Sequence, residues 1–363
     1  MAEESKKFPA SERSREFVKG SIAVDVHLYA GKIGWPKAGM FADYCQRAID
    51  EGINGFGLSI ANKDDSFESA RQTRDTLLAD LTDWLGEVLI VQKADDFAKA
   101  ASEGALAVFF SAQTSALLDG EPEVTLPKLK AMGLGTLAPV YNLSFPAGDG
   151  CMIDDPGPIT DYGKRVIEQV HANDIVLDLS HASESTALSA ISHSLEVAPD
   201  RPVIYSHSSP DAVCPASRNI SDAEILACAY TGGVIAINTS PWFLISDTAS
   251  ETKPGDIVNV VKYVRDMVGI DHVALGSDDI FSTGAMWELI RKVGKPDFGD
   301  TDRGRKQAEL TWNAAQLNLL GTAEAAKIYP ALAEALWEAD FSESDVRKVL
   351  GENALRVFRS VWG

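Results

Sequence analysis

Cysteine is scarce and scattered in this chain: Cys45, Cys151, Cys214 and Cys228 lie far apart and never form a CxxC pair, which argues against a disulfide framework and against a thiolate zinc site. Positive charge is also in short supply. With 33 basic against 53 acidic residues the formal net charge is -20, which repels phosphate backbones and anionic lipid heads, so neither nucleic acid nor a membrane is expected as a partner. No apolar run approaches the ~18 residues of a membrane span. The N-terminal stretch MAEESKKFPASERSREF is charged where a secretory signal needs an apolar segment. A cytoplasmic location with reduced thiols is therefore expected, and the N-x-S patterns at Asn142, Asn219 and Asn238 then carry no glycosylation meaning. Missing too are a GxSxG elbow, a GxxxxGK[ST] loop and a GxGxxG after a strand, along with any flexible linker or low-complexity tract.

What is present has the size and composition of a globular protein: 363 residues, 45% hydrophobic and 24% charged. Short β-prone runs recur at 22–27, 53–60, 106–113, 135–141, 174–181, 201–207, 233–240 and 272–278. Most are continuously apolar, as strands buried on both faces of a parallel sheet are. Helix-compatible stretches such as 66–87, 159–173 and 221–233 separate them, and eight such alternations predict a (β/α)8 barrel, with a doubly wound open sheet as the alternative. The run EVLIVQ (87–92) reads either as an extra strand or as a turn. Beyond residue 303 the chain turns helical, and Ser342 followed by Asp345 fits an N-cap. Residues 1–19 are expected to form an N-terminal extension, and 20–363 a single barrel domain that includes the C-terminal helices.

Polar residues interrupt the apolar runs at their carboxyl ends, where barrel enzymes carry their chemistry: His27, Gln113, Tyr141, His181, His207 and Asp278. A lone histidine at such a place is more often a hydrogen-bonded structural residue. Three at equivalent positions, in a chain with six histidines, point instead to imidazole ligands for a divalent ion such as zinc. Asp278 can ligate or take a proton. His171 in a helix, His193 in a connecting segment and His272 before the last strand keep their structural readings.

The stretches IVLDLSHAS (175–183), PVIYSHSSPDAVCPASRNISDAEI (202–225), GGVIAIN (232–238), GIDHVALGSD (269–278) and GENALRVF (351–358) resemble the membrane (renal) dipeptidase family, peptidase family M19. The resemblance runs from about residue 20 to the C-terminus and implies an amidohydrolase-type (β/α)8 barrel with two zinc ions that activate a bridging water to cleave dipeptides. It makes His27 a ligand of the first metal, His181 and His207 ligands of the second, Arg218 (with Asn219 beside it) the grip on a substrate carboxylate, and Asp278 the proton shuttle. Three positions depart from the family pattern. Tyr29 stands where the family has a metal carboxylate, Gln113 where it has a bridging glutamate, and Tyr141 where it has a substrate-polarising histidine.

Losing two acidic ligands removes about two negative charges that would offset the cations, so one zinc ion is expected, on His181 and His207 with help from His27, Gln113 or Asp278. Two ions or none are the alternatives. Tyr29 and Tyr141 then become hydrogen-bond donors or acids for catalysis, with Tyr141 also touching substrate. The expected function is a dipeptidase-like, metal-dependent hydrolase acting on an amide or related bond in a small carboxylate-bearing molecule. A repurposed lyase, isomerase or tailoring enzyme on the same barrel, and a non-catalytic small-molecule binder, are the competing readings. A homodimer is possible. Specificity is expected in the loops 29–40, 145–157 and 241–256.

Overall fold

The computed structural model describes residues 10–29, 40–85, 87–244, 253–278, 298–316 and 325–363. Of the three loops expected to set specificity, only 145–157 falls wholly among them; 30–39 and 245–252 lie outside the described residues.

Among the described residues there are eleven strands in chain order, β1 (Val24–Tyr29), β2 (Gly55–Ala61), β3 (Val88–Ile90), β4 (Leu106–Ala112), β5 (Leu134–Leu137), β6 (Ser144–Phe145), β7 (Gly148–Asp149), β8 (Val176–Leu177), β9 (Ile204–Ser208), β10 (Val234–Ile237) and β11 (Val273–Leu275). Eight of them answer the eight predicted runs and are all parallel, in the order β1-β2-β4-β5-β8 and then β9-β10-β11. Two seams join these sheets. Asp178 bridges Ile204 in parallel while Leu179 N donates to Ile204 O at 2.8 Å, and Asp278 N donates to His27 O at 2.9 Å. The circuit thus closes into the predicted α/β barrel and rules out the open sheet. The EVLIVQ run is a true extra strand, β3, paired with β4 outside the circuit, and β6 and β7 make a small antiparallel hairpin in the loop after β5.

Two strands are shorter than their apolar runs. The run 135–141 leaves the ladder after Leu137, ahead of Pro139, which has no N–H to give. The run 174–181 leaves it after Leu177, because Asp178 turns its carboxylate to neighbouring N–H groups and His181 takes a left-handed backbone with φ 72°.

Helices start where the sequence offers a side-chain acceptor. Thr160 caps Asp161–Ala172, Ser183 caps Glu184–Val197, and Ser221 and Ser342 form capping boxes with Glu224 and Asp345. Each such cap is worth about 1 kcal/mol. His193, expected in a connecting segment, lies inside Glu184–Val197 and pairs with Glu168 at 3.2 Å, because the apolar spacing of that helix continues past it.

At the amino ends of the strands, Val24, Val26, Phe109, Val176, Ile204, Val234 and Ala274 pack with the C-terminal helix Asn353–Trp362. Phe358 and Trp362 of that helix stack at 4.1 Å, and both meet the edge of Phe109, at 5.1 and 5.2 Å. This apolar plug seals one end of the barrel and leaves the carboxyl ends for polar residues.

Candidate active site

At those carboxyl ends the structure brings His27, Gln113, His181, His207 and Arg218 together, all buried, with Tyr141 against them and Asp278 alongside. The rings of His27 and His207 stack at 3.9 Å, and Tyr141 lies 4.2 Å from the His181 ring. Asp278 Oδ1 stands 4.0 Å from His27 Nε2, and Asn238 donates to its other oxygen at 3.3 Å. Backbone geometry marks the same place. Asp278 (φ 54°) and His181 (φ 72°) both sit in the left-handed region, which costs a non-glycine residue about 1 kcal/mol or more and is retained where the fold needs the side chain aimed a particular way.

Each histidine is set by its neighbours. Asp178 is buried and accepts from the N–H groups of Ser180 and Ser206 and from the Ser206 hydroxyl. Having given its hydrogen to Asp178, Ser206 Oγ can only accept from His207 Nδ1, 2.7 Å away. The hydrogen of neutral His207 is thereby fixed on Nδ1 and its Nε2 lone pair faces the site, the tautomer a metal requires. A matching clasp closes the other seam, where Asp25 accepts from Ser277 N, Ser277 Oγ and His27 N. His181 Nε2 lies 2.6 Å from Gln113 Oε1 and 2.9 Å from His207 Nε2, and its Nδ1 lies 2.7 Å from Asn142 and 3.1 Å from Arg218 Nε.

Burial, reinforced by the Arg218 guanidinium, pushes His27 down to about 3, and burial with the same neighbours holds His181 and His207 well below the usual histidine range. All three rings are neutral at pH 7, and His27 and His207 have lone pairs facing the site. Burial lifts Tyr29 up to about 12 and Tyr141 well above the phenol range, so both stay hydrogen-bond donors in water of any ordinary pH.

The chemistry of these residues fits a divalent ion. Among the described residues, His27, His207 and Asp278 are the three whose ligand atoms lie within 4.8 Å of one another. Among the described residues the buried His27 Nε2 has no hydrogen-bond partner, an arrangement that leaves a lone pair for an ion. Gln113 Oε1 and the His181 ring adjoin His207 at the edge of this cluster.

Arg218 is 4% exposed, and its guanidinium reaches His181 Nδ1, Ser208 Oγ at 3.0 Å and His207 O at 3.1 Å. Among the described residues it has no carboxylate partner, although a buried cation ordinarily has one. Asn219 is committed elsewhere: its Nδ2 donates to Cys214 O and Phe243 O, which staples the loop carrying Arg218 and leaves only Oδ1 for a ligand.

Sequence reasoning missed Asp25, Ser59, Asn62, Asn142, Asp178, Ser206 and Ser277. For the two aspartates a signal existed. VDVH and VLDLSH each embed an acid in an apolar strand, and a buried carboxylate there demands several donors nearby.

Three comparisons place the chain among known proteins. The family model for membrane dipeptidase (peptidase family M19) matches residues 41–288, more than half of the chain. A protein in the pqqA 5' region of Klebsiella pneumoniae is 29% identical over 201 residues, 53% of this chain and 72% of that one. The dipeptidase tcpJ of Claviceps purpurea is 26% identical over 203 residues, 56% of this chain but 38% of its own length, so the chain spans well under half of that relative. In structure, an amidohydrolase from Pseudomonas aeruginosa superimposes with TM-score 0.78 over 96% of this chain and 99% of its own, at 23% identity, which establishes the fold. On the extent of the family match, this chain belongs to the membrane dipeptidase family, peptidase family M19.

Proposed function

We propose that the protein is a metal-dependent hydrolase that works with one zinc ion and cleaves an amide or related bond in a small molecule bearing a carboxylate. The observation that carries this reading is the buried Nε2 of His27, partnerless among the described residues, beside His207 and Asp278. Support comes from family membership and from relatives such as the Claviceps purpurea dipeptidase.

His27, His207 and Asp278 would hold the ion, with His181 and Gln113 at its edge. Zinc supplies Lewis acidity that activates water near neutral pH. Arg218 offers a fork of N–H donors to a substrate carboxylate, which would complete the charge pairing that the described residues leave open. Tyr141, held against His181, donates a hydrogen bond to the oxygen on which negative charge develops. Asp278, with 26% of its side chain exposed and a carboxylate oxygen 4.0 Å from His27, is placed to take the proton of the attacking water and return it to the leaving nitrogen. Tyr29 and Gln113, in place of two carboxylates, leave a ligand set whose one acid is Asp278, which suits one cation better than two.

The test is zinc content per chain by elemental mass spectrometry, paired with turnover of a panel of dipeptides and N-acyl amino acids. One ion with turnover is the expected result. Asp278→Asn should abolish turnover and, because it removes the one anionic ligand, weaken zinc binding, and His181→Ala should lower both. No zinc after loading and desalting, or full activity in Asp278→Asn, would sink the proposal.

A further inference from the structure

Tyr29 and Gln113, the two residues that replace carboxylates of the family pattern, are joined by a residue that has so far had no role. Gln113 Nε2 donates to Ser59 Oγ at 2.9 Å and to Asn62 Oδ1 at 3.0 Å, and Asn62 Nδ2 donates to the Tyr29 hydroxyl at 3.1 Å. Ser59 is fully buried on β2, and Asn62 follows directly after that strand.

The direction of every bond in this chain is set from its far end. Arg218 Nε has a hydrogen and no lone pair, so His181 Nδ1, 3.1 Å away, must accept from it. Asn142, at the same nitrogen, can turn its amide, whereas Arg218 cannot become an acceptor. With Nδ1 accepting, the ring hydrogen of His181 is on Nε2, which donates to Gln113 Oε1 at 2.6 Å. Gln113 must then present its NH2 group to Ser59 and Asn62, Asn62 its oxygen to Gln113 and its NH2 group to Tyr29, and Tyr29 its oxygen to Asn62. The phenolic hydrogen is left over, with no acceptor among the described residues.

We propose that Asn62 is a positioning residue that, with Ser59, fixes Gln113 oxygen-first toward His181 and turns the Tyr29 hydroxyl into a hydrogen-bond donor for the substrate. A cation at the site asks the same of Gln113, an oxygen lone pair, a point that rests on the one-zinc reading; the relay itself does not. It follows that Gln113 and Tyr29 are a matched pair. A glutamate at position 113 has no N–H to give, so Asn62 would have to turn its NH2 group inward and its oxygen outward, and the Tyr29 hydrogen would be used up inside the relay.

The test uses the full chain in its metal-free and zinc-loaded forms. In metal-free protein carrying 13C at the tyrosine ζ-carbon, the Tyr29 signal is assigned with Tyr29→Phe, and hydrogen exchange of the Gln113 side-chain amide is followed alongside. Wild type should show a protected Gln113 amide. Asn62→Asp, nearly isosteric, should keep that protection and leave zinc affinity unchanged, but shift the Tyr29 signal because the phenol now donates to a carboxylate. Gln113→Glu should shift it in the same direction. Asn62→Leu should release the Gln113 amide and weaken zinc binding roughly tenfold or more, as loss of a partner behind a ligand does. A Tyr29 signal that stays put in both Asn62→Asp and Gln113→Glu, or a Gln113 amide still protected in Asn62→Leu, overturns the proposal. Failure of wild type to bind zinc would overturn the one-zinc hydrolase, while the 13C shifts and amide protection of the metal-free protein would still decide the role of Asn62.

Discussion

Ser206→Ala separates the two jobs that one hydroxyl performs. The Ser206 hydroxyl donates to buried Asp178 and accepts from His207 Nδ1, so its removal costs a hydrogen bond to a charged group, about 1.5–3 kcal/mol of stability. It also frees His207 to move its hydrogen to Nε2, where it blocks the lone pair that faces the site. Losing such a partner behind a metal ligand weakens metal binding by roughly 10–100-fold, or about 1.4–2.7 kcal/mol. The assay is zinc competition against a chromophoric chelator at pH 7.5, with urea unfolding of the metal-free protein as its companion. Ser277→Ala is the matched reference. It removes the sister clasp on Asp25, which reaches His27 through the backbone N–H and not through the ring. Both variants should lose comparable stability, and Ser206→Ala should lose far more zinc affinity. Equal zinc affinity in the two would refute the assignment of the His207 tautomer to Ser206.

Burial, with Arg201 and His193 nearby, pushes His171 down to about 4 from 6.5, so its unfolded form binds a proton that the folded form refuses; its stabilising effect is complete above pH 6.5 and fades as pH falls toward 4. At pH 5 this withdraws about 2 kcal/mol relative to pH 7, and His171→Gln should flatten the urea-measured pH dependence by that amount; an unchanged slope would count against it. The double variant Tyr29→Asp with Gln113→Glu restores the family's two carboxylates and should raise zinc stoichiometry toward two by elemental analysis. No change in occupancy would mean that these positions do not border the ion.

The barrel and its polar mouth were legible because both follow from one-dimensional pattern. Continuous apolar runs spaced by helical segments predict parallel strands, and His27, Gln113, His207 and Asp278 stand out as polar residues that terminate them. Strand ends were less legible, since Pro139 and the outward-turned Asp178 cut two ladders short. The supporting residues were hidden for a different reason. Ser59, Ser206 and Asn62 are common residue types whose role depends on partners at the ends of other strands, between 28 and 54 positions away in sequence. Asp25 and Asp178 differ from them, because an acid set in an apolar strand announces a buried network from the pattern alone.

The two seams of the barrel have a mechanical meaning as well. His27 belongs to the sheet that starts with β1, while His207 and Asp278 belong to the sheet of β9 to β11 or follow it. An ion held by all three would be a rivet driven through a joint, tying together two bodies that the backbone connects by a few bridges. Folding and loading then become linked equilibria: at a hundred times its dissociation constant such a ligand adds about 2.7 kcal/mol to the joint. The melting temperature of this protein would track free zinc, and on chelation the Asp178–Ile204 and His27–Asp278 contacts would be the first to exchange their amide hydrogens.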